Sequence, residues 1–343
     1  MCLIQMSVGD VPYIIDPLYV DDMEPLGEIL DSHRVIKILH AGDYDIRSLH
    51  RDYGFVFQNV FDTSIAAALM GSKRLGLDAI LMEYIQVEVS KEKRLQRSDW
   101  TLRPLSDEAL GYAADDVRYL GKAREKMTRK LEDLGRQDWV KEECHRLCSV
   151  RFEPREEATA FLNLKGSGDL DGHALALLKR LYDLREDEAI GKDRPPFKIV
   201  SDSVLISIAR EPDCEYAELR GIGWWARPSM VKRIKVLVKE SRKDEPIVRP
   251  KRKKIPASER LSNRDRERAN KRLKQLKLWR SGLGENLEVD PSLLWPTSSL
   301  SRLAKDPSTL SQEFESNDVR GWQIEEFSNK LETFVKELIT KVS

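Results

Sequence analysis

A pattern of helices that occurs twice in the second half of the chain limits its fold more than any other feature. Each copy has apolar residues at helical spacing, a polar start to a second helix and an Arg-Gly pair before a third. Residues 276–280, 296–304 and 319–322 parallel residues 181–185, 201–209 and 219–222 in order and residue type. The repeat therefore predicts two small all-α domains, over residues 167–243 and 263–343.

The composition fits a polar protein with several domains. The 343 residues exceed the usual size of one compact domain; 41% are apolar, 34% are charged, and the net charge is zero. No apolar run reaches the length of a membrane span, and no signal peptide is visible. Four cysteines in a chain of this size argue against a disulfide framework. We therefore expect a cytoplasmic protein that contacts no membrane.

Residues 110–120 predict a helix with a carboxylate and a phenol on one face. Its apolar residues recur at helical spacing, and Tyr112 and Asp116 are four residues apart, so they lie on the same side. Asp116 borders the apolar stripe, whereas Asp115 faces water. Such a pair at the edge of a core suits metal-dependent chemistry on phosphate. A helix with a solvated acidic face is the alternative.

A second stretch predicts a buried strand that leads through a turn into a helix. The apolar run 36–39 ends in His40-Ala-Gly, and Asp43 fits the N-cap of the helix that follows. Asp45 lies one turn before Leu49, on the border of the apolar stripe of that helix. As in the first stretch, one aspartate has a structural position and the other borders the core.

Five segments in the first part of the chain resemble the motifs of the ribonuclease D-like 3′–5′ exonucleases of the DEDD superfamily. They are residues 40–45, 61–63, 97–100, 103–106 and 112–116. The resemblance implies an α/β ribonuclease H-like exonuclease domain over residues 1–135. It implies that Asp45 is the second-motif carboxylate and that Tyr112 and Asp116 form the third motif, in the tyrosine branch. Asp45 and Asp116 would bind metal.

The first motif of the family, an Asp-x-Glu on the first strand, is absent from the sequence. The segment that follows this motif in the family resembles residues 2–5. Asp10 and Asp16 cannot replace it, because one lies in a turn and the other ends a strand. We expect an N-terminally shortened exonuclease domain that lacks two of the four metal-binding carboxylates. An Asp-x-Glu in frame in the upstream DNA would confirm this.

A basic and aromatic loop over residues 90–103 predicts a contact with substrate. Arg97 and Arg103 are suited to phosphate, and Trp100 is suited to stacking on a base. The family resemblance adds His40 to these substrate-binding residues. A solvated loop anchored by its tryptophan is the alternative.

The repeated helical domains resemble the HRDC domain that ribonuclease D shares with RecQ-type helicases. In the first copy the matching segments are residues 183–186, 194–197 and 201–202. The resemblance implies modules that bind nucleic acid or dock; a bundle that only packs against the exonuclease domain is the alternative. A helical connector over 136–166 and a basic linker over 244–262 separate the predicted domains. The linker would attract a phosphate backbone or simply remain solvated.

Together these features predict a 3′–5′ exoribonuclease that trims RNA 3′ ends, with precursor tRNA as its substrate. The resemblance implies two-metal-ion hydrolysis, with Mg²⁺ or Mn²⁺ because the ligands are all oxygen. Tyr112 would position the attacking water. No G-x-x-x-x-G-K-[ST] occurs, which argues against a helicase and against a nucleoside triphosphate partner. The alternative is a catalytically incomplete RNA-binding protein that keeps the exonuclease platform and the HRDC domains.

Overall fold

The computed structural model describes residues 1–89, 92–154, 157–250 and 261–342, and the chain divides into two compact units. The first unit combines Met1–Phe152 with Leu261–Ser343, and the second is Glu153–Arg260. Lys91 of the predicted basic loop and residues 251–260 of the predicted linker lie outside the described residues. No helix in the described ranges is long and apolar enough to cross a membrane.

The N-terminal part of the first unit combines short strands with helices. The strands are β1 (Ile4–Val8), β2 (Val11–Ile15), β3 (Lys37–Leu39) and β4 (Val60–Asp62). The helices are α1 (Glu24–Asp31), α2 (Asp43–Tyr53), α3 (Thr63–Leu69), α4 (Leu77–Ile85), α5 (Lys93–Gln96), α6 (Asp107–Arg118), α7 (Leu120–Leu134) and α8 (Gln137–Cys148).

The strands form two pairs that place the helices carrying the predicted site. β1 and β2 are antiparallel, and Gly9 in the turn between them has a φ of +62°, which glycine adopts without steric cost. β3 and β4 are parallel, with Leu39 beside Asp62. Because both parallel strands run the same way, α2 and α3 begin at the same edge of this small sheet.

The start of α2 differs from the prediction. Its N-cap residue is Gly42, and Asp43 is the first helical residue, paired at 2.8 Å with Arg47 one turn later. The prediction for Asp43 was wrong because the helix begins at Asp43 itself and its N-cap residue, Gly42, has no side chain to cap it. The Asp62 carboxylate accepts from the backbone N–H of Gly42 at 2.8 Å, in the turn before the helix, and local sequence does not contain this contact.

The second unit is a helical bundle with a core of its own. Its helices are α9 (Glu157–Ala160), α10 (Gly172–Gly191), α11 (Pro196–Ile199), α12 (Asp202–Arg210) and α13 (Pro228–Ser241). Trp225 is fully buried in this core, and the buried guanidinium of Arg185 donates to Asp202 at 2.5 Å. The predicted connector over 136–166 is divided, since α8 belongs to the first unit and α9 to the second.

The C-terminal residues of the first unit form a second series of helices. These are α14 (Asn263–Leu287), α15 (Pro291–Leu294), α16 (Thr297–Lys305), α17 (Leu310–Phe314) and α18 (Gly321–Val342). α15 and α16 have the same lengths as α11 and α12, four and nine residues. The number of residues between α15 and α16 also equals the number between α11 and α12. The sequence repeat therefore corresponds to a repeat of helices.

This C-terminal bundle shares one apolar core with the N-terminal part of the unit. Ala66, Ile80 and Met127 belong to the same buried cluster as residues of the C-terminal helices. Among the latter are Leu276, Trp295, Leu300, Phe327 and Leu331. Trp139 of α8 stacks on Trp322 of α18, with ring centroids 4.4 Å apart. Residues 261–342 therefore complete the core of the first unit.

Polar groups fix the position of the bundle as well. Arg136, with 7% of its surface exposed, donates at 2.8 Å to the carbonyl oxygens of Leu69 and Leu287. The Glu142 carboxylate accepts from the backbone N–H groups of Gly321 at 2.8 Å and Trp322 at 2.9 Å. These N–H groups at the start of α18 have no partner within the helix, so Glu142 caps it from outside.

Candidate active site

The Asp62 carboxylate is the centre of the region where α2 and α3 begin. It is 1% exposed and accepts hydrogen bonds from the backbone N–H groups of Ser64 at 2.8 Å and Ile65 at 3.1 Å, which caps α3. It also accepts from Ala41 at 3.2 Å and Gly42 at 2.8 Å, in the turn before α2. One buried carboxylate therefore fixes both helix starts.

Asp62 was not predicted as a site residue. The segment 61–63 matched the family pattern, and an aspartate followed by Thr63 and Ser64 before an alanine-rich run is a local N-cap signal. That signal accounts for the bonds to α3. The bonds to Ala41 and Gly42 depend on the pairing of β3 with β4, which local sequence does not contain.

Asp45 lies in the first turn of α2, and its surroundings raise its pKa. Burial by neighbouring protein atoms is the main cause, and the negative charge of Asp62 adds to it. The residue nevertheless keeps an exposed surface. A carboxylate that is surrounded by protein on one side and exposed on the other is accessible to a ligand.

His40 is held in one tautomer beside these residues. The Thr63 hydroxyl donates to the Leu39 carbonyl at 3.1 Å, so it accepts from Nδ1 of His40 at 3.0 Å. Burial lowers the His40 pKa, although the charges of Asp62 and Asp78 oppose this. The imidazole is therefore neutral near pH 7, with its proton on Nδ1 and an acceptor lone pair on Nε2.

Tyr112 and Asp116 lie one turn apart on α6, which packs against the hairpin of β1 and β2. Burial, with a contribution from the charge of Asp115, raises the pKa of Asp116 to about 6. Burial and the charge of Asp116 raise the pKa of Tyr112 as well. The Asp115 side chain is 38% exposed and pairs with Arg118 at 3.2 Å. Both aspartates are partly exposed, and the role of Asp116 as a site residue stays a prediction.

In the predicted substrate loop, some side chains are open to solvent and others are hydrogen-bonded within the protein. Arg97 is exposed, and the Trp100 ring lies 6.1 Å from that of Tyr112. Arg103 uses all five of its N–H donors within the protein. Its acceptors are both oxygens of Asp16 and the carbonyl oxygens of Cys2, Trp100 and Leu102. Arg103 joins the loop to the hairpin, and its predicted contact with substrate would require one of these bonds to break.

The described residues do not make a complete metal site. They contain no group of three or more His, Cys, Asp or Glu side chains that could hold an ion. Asp10 pairs with Lys122 at 2.8 Å and Asp16 pairs with Arg103, so neither supplies a free carboxylate. The oxygen donors of Asp45 and Asp116 have the chemistry that Mg²⁺ prefers, and their joint binding of an ion stays a prediction.

Comparison with known protein families defines the class of protein. Residues 1–132 match the model of the 3′–5′ exonuclease family, and residues 174–223 match the HRDC domain model. The first match contains Asp45, Tyr112 and Asp116, and the second lies within the second unit. The chain thus has an exonuclease domain of the ribonuclease H-like fold followed by a helical HRDC region, as predicted. Whether the C-terminal bundle is a second HRDC domain stays a prediction.

Individual proteins of known family resemble the chain over about 60% of its length. The chain is 31% identical to ribonuclease D of Desulfotalea psychrophila over 210 residues, which are 60% of this chain and 56% of the relative. It is 31% identical to exosome complex component 10 of Rattus norvegicus over 219 residues, 61% of this chain and 24% of that protein. Over these residues the chain is similar to ribonuclease D and to exosome complex component 10. It spans little more than half the length of the ribonuclease D relatives.

Two solved structures share the fold. The crystal structure of Escherichia coli RNase D, an exoribonuclease involved in structured RNA processing, is 25% identical and gives a TM-score of 0.64. That match covers 98% of this chain and 88% of the other. A protein from Bifidobacterium adolescentis is 21% identical, with a TM-score of 0.76 over 95% of this chain and 85% of its own, which speaks to the fold alone.

Proposed function

We propose that the chain is a hydrolytic 3′–5′ exoribonuclease that shortens RNA from its 3′ end. The observation that carries the proposal is the state of the two motif carboxylates within the exonuclease match. Asp45 and Asp116 both retain contact with solvent, and burial raises the pKa of both. Carboxylates perturbed in this way at an accessible position are typical of catalytic sites.

The side chains around these carboxylates have distinct roles in the proposal. The Tyr112 phenol remains protonated at neutral pH, since its pKa is raised, and it donates a hydrogen bond that orients water or a phosphate oxygen. The exposed Arg97 binds phosphate, and the Trp100 ring beside Tyr112 stacks on the terminal base. Nε2 of His40 accepts a hydrogen bond from the substrate or from an ordered water.

Divalent metal belongs to the proposal through the oxygen donors of Asp45 and Asp116. Two ions, Mg²⁺ or Mn²⁺, follow from the family resemblance, and such ions polarise phosphate and lower the pKa of bound water. The described residues supply only part of the ligands for such a site. Cleavage is expected to stop when EDTA removes divalent metal and to return when Mg²⁺ or Mn²⁺ is added in excess.

The proposed substrate is RNA with a free 3′ end, with precursor tRNA as the case suggested by the family. Relatives of the chain are named ribonuclease D, and the E. coli structure is described as an exoribonuclease involved in structured RNA processing. A tRNA carrying a 3′ extension is therefore compared with an unstructured RNA of equal length. Faster shortening of the extended tRNA supports precursor tRNA as the substrate, and equal rates argue against it.

The main test uses 5′-labelled RNA, which reports stepwise shortening from the other end. We expect Asp116→Asn to reduce the cleavage rate at least about a hundredfold while RNA affinity changes little, because the variant loses an anionic metal ligand and a metal ion contributes several kcal/mol to such a reaction. Asp115→Asn is the matched control, since it removes the same charge one residue away on the exposed side of α6. Activity that survives Asp116→Asn, or falls equally in both variants, contradicts the assignment.

A second candidate function is RNA binding without catalysis. It is favoured by the lack of a three-ligand metal group among the described residues. The same assay separates the two, because a binding protein would retain labelled RNA in Mg²⁺ or Mn²⁺ without shortening it. Shortening that depends on added metal and on Asp116 supports the exoribonuclease.

A further inference from the structure

One ring nitrogen of His40 is available at the edge of the sheet where α2 and α3 begin. His40 directly follows β3, and the turn at Ala41 and Gly42 leads from it into the first turn of α2, which carries Asp45. Nδ1 is bonded to the Thr63 hydroxyl at 3.0 Å. Nε2 has no partner among the residues that the structure describes, and this atom is open to solvent. The imidazole therefore presents one unused nitrogen beside the candidate active site.

The surroundings of His40 make this nitrogen an acceptor. The Thr63 hydroxyl donates its single proton to the Leu39 carbonyl at 3.1 Å, so Nδ1 must carry the proton of the ring. The two carboxylates whose charge reaches the ring are engaged elsewhere. Asp62 accepts from four backbone N–H groups, and Asp78 is paired with an arginine at 3.2 Å. Burial lowers the pKa of His40, so the ring is neutral and Nε2 keeps its lone pair at neutral pH.

An acceptor at this position distinguishes between the groups of a nucleic acid. Phosphate oxygens are acceptors themselves, so they cannot form a hydrogen bond with a neutral Nε2. The bases carry donors, but at positions that differ among the four bases, and an exonuclease that removes one nucleotide after another meets all of them. The ribose 2′-hydroxyl is a donor that every RNA nucleotide carries and that DNA lacks. The chemistry of Nε2 therefore fits a ribose hydroxyl.

The other residues predicted for the site have different chemistry. Arg97 and Tyr112 bring N–H and O–H donors that suit phosphate oxygens. Asp45 and Asp116 bring charged oxygens that suit a divalent metal. Among the residues predicted for the site, His40 alone supplies an uncharged atom that can only accept. A ribose hydroxyl is therefore the substrate group that none of the other residues accounts for.

We propose that Nε2 of His40 accepts a hydrogen bond from the 2′-hydroxyl of a nucleotide at the 3′ end of the RNA, which makes His40 a specificity-determining residue for RNA over DNA. The proposal rests on the proposed function for the identity of the substrate. Thr63 is a positioning residue in it, because its hydroxyl fixes the tautomer in which Nε2 accepts. His40 would affect the choice of substrate and take no part in proton transfer at the reacting phosphate.

The test uses 5′-labelled oligonucleotides that differ in one 2′ group. An all-ribose RNA is compared with RNAs that carry a single 2′-deoxy nucleotide at the terminal or at the penultimate position. Matching RNAs carry 2′-fluorine there, which keeps a ribose-like sugar conformation but is not a donor. Each set is made with all four terminal bases. The measured quantity is the ratio of kcat/KM for the first cleavage of two substrates in Mg²⁺ or Mn²⁺, so the fraction of folded protein cancels.

We expect the unmodified chain to prefer the 2′-hydroxyl about fivefold to tenfold at one of the two positions, the size expected for one neutral hydrogen bond, and to treat fluorine like deoxy. His40→Asn should lower this ratio to about one, because its amide can still donate to Thr63 but ends short of the position of Nε2. Thr63→Val should lower the ratio in part, and Thr63→Ser should retain it. His145→Asn, at an exposed position of α8, is the matched control and should keep the full ratio.

Three results overturn the assignment while cleavage of RNA leaves the proposed exoribonuclease function in place. The first is a ratio near one for the unmodified chain at both positions. The second is a ratio that survives His40→Asn, or that falls equally in His145→Asn. The third is a preference that follows the terminal base instead of the 2′ group, because Nε2 would then accept from a base.

Binding separates the proposal from a failure of the proposed function. If the chain shortens no RNA, the proposed function falls, and the same substrates are compared by their affinity in EDTA, measured by fluorescence anisotropy. A preference for the 2′-hydroxyl that His40→Asn removes supports the contact with His40 even then. Equal affinities for the ribose and deoxy substrates would overturn that contact as well.

Discussion

The two helical bundles have the same order of helices but use their apolar surfaces differently. The bundle of α10–α13 closes a core within the second unit, around Leu178, Leu205 and Trp225. The bundle of α14–α18 places Trp295, Trp322 and others in a core that it shares with the exonuclease domain. One copy is a self-contained module, and the other is part of the structure that holds the candidate site.

Two buried tryptophans, one in each bundle, illustrate the difference. The indole N–H of Trp322 donates to Glu143 of α8 at 3.1 Å, whereas the buried indole N–H of Trp225 has no acceptor among the described residues. Glu143 also pairs with Arg320 at 3.0 Å. The C-terminal bundle thus has specific polar partners on α8, in the N-terminal part of the first unit. Such partners make this copy of the repeat a structural part of the first unit.

The largest expected effect comes from truncating either tryptophan. We expect Trp322→Ala and Trp225→Ala each to cost about 3–5 kcal/mol, because both remove a buried aromatic side chain. Calorimetry of the unmodified chain should resolve two transitions, one for each unit. Trp322→Ala should lower the transition of the first unit and abolish cleavage with it. Trp225→Ala should lower only the other transition and leave cleavage of short RNA intact.

The same two variants can also contradict the difference that we describe between the two bundles. If Trp322→Ala leaves cleavage and the first transition unchanged, the C-terminal bundle is not part of the catalytic unit. If Trp225→Ala lowers both transitions equally, the second unit is not independent.

A smaller effect is expected at the external cap of α18. Glu142→Ala leaves the N–H groups of Gly321 and Trp322 without their acceptor, so it should lower the free energy of unfolding of the first unit by about 1–2 kcal/mol. Asp138→Ala is the control on the same helix, because its side chain is 80% exposed. It should stay within about 0.5 kcal/mol. Denaturant unfolding followed by tryptophan fluorescence measures both, and equal effects would remove Glu142 as the cap.

The smallest effect concerns acid stability, which should differ between the bundles. In the C-terminal bundle Arg302 holds the pKa of Asp318 well below its usual range, with hydrogen bonds from Ser298 and Ser316 adding to the effect. The stabilisation is full above the unfolded pKa of about 4 and is lost as the pH falls below it toward the folded pKa. Asp318 is 36% exposed, so screening limits it to about 0.5–1 kcal/mol.

Asp318→Asn should therefore make the first transition less sensitive to pH below about 4 and leave the second transition unaltered. Asp133→Asn, at an exposed position of α7, is the control. A pH profile that is identical in both variants would show that the Arg302 cluster does not contribute.

Local features of the fold could be predicted from the sequence, and contacts between distant segments could not. The hairpin around Gly9, the helix that carries Tyr112 and Asp116, and the helical repeat depend on spacing and turn residues within short windows. The shared core depends on pairs such as Trp139 with Trp322. Apolar periodicity indicates that a helix face is buried, but not which surface covers it.

In the candidate site, too, local features could be predicted from the sequence and contacts between distant segments could not. The motif residues Asp45, Tyr112 and Asp116 were identified by order and spacing, and their placement as site residues stays a prediction. The engagement of Arg103 could not be foreseen, because an arginine that binds phosphate and one that binds Asp16 look alike in sequence. The double role of Asp62 likewise depends on a strand pairing that brings residues 41 and 62 together.

The way the chain leaves the first unit and later returns to it constrains how the protein is made. Arg136 and Leu287 are 151 residues apart, and Glu142 and Gly321 are 179 apart. On the ribosome, α3, α4 and α8 emerge long before the helices that cover them, with apolar surface open to aggregation until then. The nascent first unit therefore cannot close its core until α18 has been made, and a premature stop ahead of α18 would leave that core open.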